Sequence, residues 1–327
     1  MLAYYIAYLA MLPAERFGFL LFDGFSNLVL ANAIEPLRAA NQLSGRELFR
    51  RSLLTVSGEP TTSSSRIVIR PDGRLAEAGP LDMLFVIAGY DFRDRCTSDA
   101  ISKLSLAAAR ARIVVGLDTG SWLLAVAGLL DGRRATIHWQ ELDTFAEAFP
   151  NVEVSSERFV MDGRAVSSGG ATAVLDLMLR LIRDRCGDAL TFDVMNLFIY
   201  DIERAYERPY RGARSRRIVE LSPKLISAMT LMRQTIEMPL SVPEIARKVA
   251  SSPRSLARTF QREFAMPPGR YYQLVRLKAA QRLAEETNLG VAEIAVRTGF
   301  SSAATLSRAF SRHFDKTIRA IRKARRK

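Results

Sequence analysis

The stretch GLDTG, residues 116–120, decides how the first two-thirds of the chain is interpreted. It follows the apolar run 111–115 and leads into SWLLAVAGLL, which has the composition of a helix. A buried strand, a sharp turn and a helix make up a nucleophile elbow, in which G-x-S-x-G displays a catalytic serine. Here Asp118 stands at the display position. The motif therefore indicates either an unusual enzyme or an enzyme-shaped pocket that only binds a ligand.

Around this motif, strand-like and helix-like segments alternate. Four apolar runs predict strands, namely FGFLLF (17–22), RSLLTVSG (51–58), DMLFVIAG (82–89) and RIVVGL (112–117). Strands separated by helical segments favour an α/β fold with a parallel sheet covered on both faces. Ligands bind such sheets beyond the carboxyl ends of the strands. We expect Asp23, Gly89, Asp118 and residues 167–170 at that edge, because each of them follows a predicted strand.

Charge is distributed very unevenly along the 327 residues. Residues 211–327 contain 25 Lys and Arg against 8 Asp and Glu, whereas residues 1–210 contain 22 against 26. The whole basic excess of the chain, a net charge of +13, therefore lies in the last third. This asymmetry predicts a module that meets a polyanion, with nucleic acid as the first candidate and an anionic membrane surface as the second.

The length predicts two domains, because one hydrophobic core rarely serves more than about 250–300 residues. Cys96 and Cys186 lack metal-ligand spacing and are too few for a disulfide framework, so we expect reduced thiols in a cytoplasmic protein without a metal or cofactor. The opening MLAYYIAYLAM has no basic n-region and is too short to span a bilayer. The predicted parts are a disordered extension (1–11), an α/β domain (12–205), a basic linker (206–221) and an all-helical domain (222–327).

The helical domain contains an internal repeat. VPEIA at 242–246 recurs as VAEIA at 291–295, and LARTFQREF at 256–264 recurs as LSRAFSRHF at 306–314. The offset grows from 49 to 50 residues between the two blocks, where a turn between helices tolerates one more residue. Each copy predicts a short helix, a turn and a second helix, with Ser252 as an N-cap. We expect Gly299 to supply a positive φ in the second turn.

On each second helix, Leu and Phe at i and i+4 face a core and leave Arg residues outside. Two such helices in a basic module predict tandem helix-turn-helix units that enter the major groove of DNA. The stretch 240–314 resembles the AraC-type DNA-binding domain. This resemblance implies promoter DNA as the partner, and it assigns base contacts to Arg254, Ala257 and Arg258 in the first unit and to Ala303, Ala304, Ser307 and Arg308 in the second. The segment after Phe314, DKTIRAIRKARRK, departs from the family pattern of Gly followed by Pro, so the last helix is expected to be altered.

The α/β domain carries a second resemblance. GFLLFDGFSNLVLANAIEPLRAAN, GLDTGSWLLAVAGLLDGRRATIHW and DGRAVSSGGATAVLDLMLRLI are similar to the PfpI-like, flavodoxin-like branch of the class I glutamine amidotransferase-like fold. Paired with the helical domain, they resemble the GlxA-type subfamily of AraC regulators, which implies a small-molecule sensor and a homodimer. In enzymatic relatives the elbow residue is a Cys, assisted by a His and a Glu. Asp118 and Glu35 stand at the elbow and Glu positions, and His138 lies farther along the chain.

A binding role uses the same residues without catalysis. A carboxylate at the elbow close to Glu35 would attract a cation, and two close carboxylates would share a proton until the cation arrives. Aromatic rings beside them suit an amine or a quaternary ammonium group. The predicted ligand site comprises Asp118, Glu35, Thr119, Trp122, His138, Trp139 and Tyr90. Four alternatives stay open: Trp122 and Trp139 pack in the core, Asp118 accepts backbone N–H bonds within its own turn, Asp118 serves as a nucleophile with His138, or the domain only dimerises.

Overall fold

The computed structural model describes residues 13–198, 222–264, 266–314 and 316–325. These residues belong to two compact units, one on each side of the stretch 199–221. The extension 1–11 and the linker 206–221 that the sequence predicts lie outside the described residues. Within the described ranges, no helix is both long and apolar enough to cross a membrane.

The first unit is an α/β fold built on a seven-stranded sheet. Its strands are β1 (Glu15–Leu21), β2 (Phe49–Thr55), β3 (Thr61–Thr62), β4 (Val68–Ile69), β5 (Gly73–Arg74), β6 (Leu81–Ala88), β7 (Ala111–Asp118), β8 (Arg134–Ala135), β9 (Glu153–Val154), β10 (Phe159–Asp162) and β11 (Ala165–Ser168). The large sheet has the order β10-β11-β7-β6-β1-β2-β5, and β3–β4 and β8–β9 form two small pairs. The predicted α/β class is confirmed, with one difference. The sheet is mixed, because β10 pairs with β11 in antiparallel orientation at one edge.

In the part of this unit that the structure describes, six helices accompany the sheet. They are α1 (Asn27–Ser44), α2 (Ser98–Ala109), α3 (Gly120–Val126), α4 (Leu142–Ala148), α5 (Ala171–Cys186) and α6 (Asp188–Leu197). The start of α1 is fixed by Ser26, whose hydroxyl accepts from the backbone N–H of Val29, and its end by Gly45 at φ 71°. Both are the residue types that cap helices at these positions. The central strands are buried on both faces, as expected for a sheet packed between two layers of helices.

The carboxyl ends of the central strands meet as the sequence predicts. Ala88 of β6 is the register partner of Asp118 of β7, and Ser168 of β11 pairs with Leu117. The loop after β1 joins the same edge, since the N–H of Tyr90 donates to the carbonyl of Gly24 at 3.2 Å. The turn residues after four strands are therefore gathered at one edge of the sheet.

The second unit is entirely helical in the described residues. Its helices are α7 (Pro223–Gln234), α8 (Val242–Lys248), α9 (Pro253–Phe264), α10 (Pro268–Glu286), α11 (Val291–Arg297), α12 (Ala303–Phe314) and α13 (Ile318–Arg325). The repeat corresponds to the helix pairs α8–α9 and α11–α12. Leu256 and Phe260 are buried in the first pair, and Leu306 and Phe310 are buried in the second. The i, i+4 pattern therefore identified the core face correctly.

Side chains in the sequence determine where these helices begin. Ser241 and Glu244 form a capping box at the start of α8. Ser252 accepts from the N–H of Ser255 before α9, and Ser302 accepts from the N–H of Thr305 before α12. These hydroxyls satisfy backbone donors that have no partner within the helix. The segment after Phe314, expected to be altered, still forms the helix α13.

Candidate functional site

The elbow at Asp118 has the strained backbone that its motif implies. Asp118 has φ 61°, in the left-handed region that residues with a side chain rarely adopt. The glycines on either side are required by close packing. A Cβ on Gly120 would lie 2.0 Å from the carbonyl oxygen of Val86, and one on Gly116 would lie 2.7 Å from the Cα of Ser121. The pattern Gly-x-Asp-x-Gly thus presses the turn against β6 and α3 and holds Asp118 at the end of β7.

The carboxyl group of Asp118 differs from that of an ordinary aspartate in its pKa. Burial raises its pKa to about 7. Among the described residues, no N–H or O–H group donates a hydrogen bond to this carboxyl group, and no cation pairs with it. A carboxylate taken out of water without a donor holds its proton more tightly. Asp118 therefore presents an acceptor whose partner is not supplied by the described chain.

Backbone contacts bring other predicted residues to Asp118. The N–H of His138 donates to the Asp118 carbonyl at 3.2 Å, and the Thr119 hydroxyl donates to the carbonyl of Gly89 at 2.9 Å. Thr119 is buried, His138 is half-buried, and burial lowers the pKa of the His138 imidazole. Trp139 and Tyr90, which flank these contacts along the chain, are exposed by 71% and 73%. Two exposed aromatic side chains thus belong to the loops beside Asp118.

Trp122 lies elsewhere, in the hydrophobic core. Its side chain packs against Phe92, Phe145 and Phe149, with ring centroids 5.0–5.9 Å apart. A cation already stacks on it, since the guanidinium carbon of Arg93 lies 4.5 Å from the ring centroid. This position corresponds to the core-packing alternative and favours it over the predicted ligand contact.

Arg93 and Glu141 are residues that the sequence analysis missed. Their side chains form an ion pair at 2.5 Å, and the N–H of Glu141 donates to the His138 carbonyl at 2.8 Å. The pair therefore joins the loop after β6 to the loop that contacts Asp118. The sequence does not indicate that Arg93, which follows Phe92, pairs with Glu141 in ELDTF, because 48 positions separate the two residues.

Glu35 does not have the predicted relation to Asp118. Its carboxylate pairs with Arg38 one helical turn later, at 2.7 Å, and its side chain is 42% exposed. Burial, and not a neighbouring carboxylate, raises the pKa of Asp118. The expectation that the two acids share a proton is therefore wrong, because Glu35 has its own cation.

In the second unit, α9 exposes the residues assigned to DNA. Arg254 and Arg258 are exposed and Ala257 is half-buried. In the part of the chain that the structure describes, no acidic side chain pairs with either arginine. Arg262 on the same helix differs, because it pairs with Glu263 at 2.6 Å. Arg254 and Arg258 thus present their guanidinium groups on the exposed face of α9.

The corresponding face of α12 is smaller and less charged. Ala304, Ser307 and Arg308 are exposed, and Ala303 is half-buried. Arg308 has no acidic partner among the described residues. Arginine can bind guanine with two hydrogen bonds, whereas alanine offers only contact with a thymine methyl group. These residue types give α9 more capacity for base-specific contacts than α12.

Comparisons with known proteins agree with both units. The DJ-1/PfpI family model matches residues 16–184, and a helix-turn-helix domain model matches residues 245–324. The chain is 36% identical to the HTH-type transcriptional regulator GbdR of Pseudomonas aeruginosa over 92% of this chain and 82% of that protein. It is 35% identical to the HTH-type transcriptional regulator GlxA of Rhizobium meliloti over 94% of this chain and 96% of that protein.

Other similarities cover about 60% of the chain. The chain is 29% identical to the isonitrile hydratase of Pseudomonas putida over 60% of this chain and 82% of that enzyme. A THiJ/PfpI family protein from Pseudomonas syringae shares its fold, with a TM-score of 0.51, 23% identity, and coverage of 62% of this chain and 80% of that one. Together with the near full-length match to named regulators, these likenesses show that the chain belongs to the GlxA-like family of AraC-type DNA-binding transcriptional regulators, with a DJ-1/PfpI domain followed by a helix-turn-helix domain.

Proposed function

We propose that the DJ-1/PfpI unit of this regulator senses a small cationic metabolite at Asp118 without turning it over, and that the homodimer binds promoter DNA through α9 and α12. Ligand binding shifts the population of domain or dimer arrangements and so changes how the DNA-binding units meet the promoter. The observation that carries the sensor proposal is the half-buried Asp118 side chain, whose carboxyl group has no donor among the described residues.

The chemistry of the ligand follows from that carboxyl group and its neighbours. A partly desolvated carboxyl group without a protein donor gains free energy when an N–H group or a positive charge binds it. Trp139 is exposed and follows His138, whose N–H donates to the Asp118 carbonyl, so its indole is available to a ligand at this edge of the sheet. A cation–π contact stabilises such a complex by about 0.5–2 kcal/mol. Amines, guanidino compounds and quaternary ammonium compounds are the ligand classes that combine these properties.

An enzymatic role for Asp118 is the main alternative, and the isonitrile hydratase among the relatives keeps it relevant. A carboxyl group with a pKa of about 7 is half protonated at neutral pH, which weakens it as a nucleophile. The hydrogen bond between Asp118 and His138 joins backbone atoms and leaves the imidazole out. Glu35 is engaged by Arg38. These contacts supply no assembled nucleophile, base and orienting acid among the described residues.

The third candidate is a first unit that only dimerises. In that case promoter affinity is indifferent to every metabolite, and the elbow keeps its shape without a ligand. The strained φ of Asp118 argues against this candidate, because a non-glycine residue in the left-handed region costs about 1–3 kcal/mol and such strain concentrates at functional sites. If the first unit only dimerised, nothing would require Asp118 to keep this strained backbone conformation.

One experiment separates the three functions. The full-length protein is titrated with amines, guanidino compounds and quaternary ammonium compounds while tryptophan emission is recorded. Both tryptophans of the chain, Trp122 and Trp139, lie in the first unit, so the signal reports this unit alone. The variants are Asp118→Asn and, as the matched control, Asp131→Asn at an exposed aspartate of the same unit. Each compound that binds is then incubated with the protein and analysed for product.

We expect saturable binding of one class, loss of binding in Asp118→Asn and no loss in Asp131→Asn, without product. Product formation that Asp118→Asn abolishes would establish the enzyme instead. Absence of binding across the panel, with unaltered promoter affinity, would leave the dimerisation role. Binding that survives Asp118→Asn would keep a sensor and refute the role of this carboxyl group.

A further inference from the structure

The turns of the two helix-turn-helix pairs are each held by one cation from the preceding helix. In the second pair, the Arg276 guanidinium in the middle of α10 donates to the carbonyl of Thr298 at 2.8 Å and to that of Gly299 at 2.5 Å. These are the carbonyls at the end of α11, directly before the turn to α12. The guanidinium also stacks on Phe300, 4.3 Å from the ring centroid.

The first pair has a simpler version of the same contact. The Lys224 ammonium group near the start of α7 donates to the carbonyl of Ala250 at 2.6 Å, in the turn between α8 and α9. The repeat recognised in the sequence covered only the helix-turn-helix pairs. The structure extends it backwards, because each pair is preceded by a longer helix that sends one cation to its turn. Lys224 is exposed, whereas Arg276 is half-buried and makes three contacts.

The turn of the second pair leaves little room for adjustment. Gly299 has φ 67°, and a Cβ there would lie 2.4 Å from the ring of Pro239 and 2.5 Å from the carbonyl oxygen of Ile236. Phe300 is buried in the core that also contains Leu306 and Phe310 of α12. A contact that fixes Thr298, Gly299 and Phe300 therefore fixes the angle at which α12 leaves the turn. A bidentate base contact tolerates little error in that angle.

We propose that Arg276 and Lys224 are positioning residues for DNA recognition, each holding the turn that orients one recognition helix. Arg276 fixes the orientation of α12 and so the base contacts of that helix. Lys224 does the same for α9 and its base contacts. Both bind backbone carbonyls and neither needs to touch DNA. A cation at the carbonyl end of a short helix also complements the helix dipole. Arg276 is expected to have the larger effect, since its planar guanidinium binds two carbonyls and stacks at once.

The proposal is tested by selecting binding sites from random DNA duplexes with the full-length protein. Arg258→Ala and Arg308→Ala first identify the subsite that belongs to each recognition helix. Arg276→Met is then expected to lose sequence preference at the Arg308 subsite alone, removing most of the roughly 5- to 150-fold discrimination that a good base contact gives. Lys224→Met is expected to lower the preference at the Arg258 subsite alone, by roughly two- to tenfold, as for one hydrogen bond.

The matched control is Arg282→Met, which removes an equal charge from the exposed face of the same helix. Loss of a phosphate contact would lower affinity for all sequences and reduce the salt dependence, whereas loss of positioning leaves the salt dependence unchanged and alters one subsite. If the circular dichroism of Arg276→Met shows a loss of helix, the variant is misfolded and Arg276→Lys is used in its place. Lysine retains the charge without the two-pronged contact, so an intermediate preference at the Arg308 subsite is expected.

The proposal rests on the assignment of α9 and α12 as recognition helices, and the design separates the two failures. The assignment is refuted if neither Arg258→Ala nor Arg308→Ala changes the sequence preference at any position of the selected DNA site. If they do change it, three results overturn the positioning roles alone: unchanged preference in Arg276→Met or Arg276→Lys, equal loss at both subsites, or the same loss in Arg282→Met.

Discussion

The partly desolvated carboxyl group of Asp118 makes the stability of the first unit depend on pH. Between about pH 4 and pH 7 the folded protein holds a proton on Asp118 that the unfolded chain has lost, because the pKa is about 7 when folded and 3.8 ordinarily. The state that binds more protons is favoured at low pH. The free energy of unfolding therefore falls as the pH rises through this window, by at most about 4 kcal/mol in total.

Replacing Asp118 with Asn removes that dependence without changing the backbone requirement. Asparagine tolerates φ 61° as aspartate does, and its amide stays neutral at all these pH values. Asp118→Asn is expected to match the wild type near pH 4 and to be more stable above pH 7. Between pH 5 and pH 8 the difference should grow by about 3 kcal/mol, which for a unit of this size is roughly 6–12 °C in melting temperature.

The assay is thermal unfolding of the full-length protein followed by tryptophan emission, because both tryptophans report the first unit. Buffers from pH 5 to pH 8.5 at constant ionic strength cover the window. Asp131→Asn, at an exposed aspartate, is expected to follow the wild-type profile. If the melting temperatures of the wild type and Asp118→Asn stay parallel from pH 5 to pH 8, the pKa of Asp118 is not raised in the folded protein and the reasoning is refuted.

Four further predictions concern the ligand and the DNA-binding unit. If a cation binds the Asp118 carboxylate, its dissociation constant should rise about tenfold for each pH unit below 7, because the proton must first leave; calorimetric titration between pH 5.5 and pH 8 measures this, and a flat profile would contradict it. Gly299→Ala should lower the stability of the second unit by roughly 3 kcal/mol or more in urea unfolding followed by circular dichroism, because its Cβ meets Pro239 and a backbone oxygen at a positive φ. Ala250→Gly should instead raise that stability by about 1 kcal/mol in the same assay, since Ala250 has φ 49°; a loss would show that Ala250 is unstrained. Arg258→Ala should weaken binding to a specific DNA site by about 1–3 kcal/mol and relax the sequence preference of the protein, as measured by binding to single-base variants of that site. The control is Arg262→Ala, because Arg262 is paired with Glu263. An equal loss of affinity for random DNA would make Arg258 a phosphate contact.

Several features of the site were predictable because local geometry determines them. The glycines of GLDTG mark close approach on both sides of a strained turn, so Asp118 at the end of β7 followed from the motif. Consecutive parallel strands bring their carboxyl ends together, which placed the loops beside Asp118 at one edge. The motif therefore predicts where the Asp118 carboxyl group lies, but it does not predict the raised pKa of that group.

The repeat in the last third was equally local. Leu and Phe at i and i+4 lie on one face of any α-helix, so the buried face of α9 and α12 and the exposed arginines opposite follow from the helical period. Ser252 and Gly299 occur where a cap and a left-handed turn need them. Fold class, tandem units and the basic surface were therefore determined by the sequence alone.

Tertiary structure decided which side chains meet across large separations in the chain. It placed Trp122 in the aromatic core beside Arg93, paired Arg93 with Glu141, and brought Arg276 to the carbonyls at the end of α11. Helical and strand periods determine on which face of an element a residue lies. They do not determine its contacts, because many residues share that face and several partners can lie within reach of each. The choice among them depends on the packing of whole helices and on the burial that it creates, which is also what raises the pKa of Asp118. That burial arises only when the chain has folded.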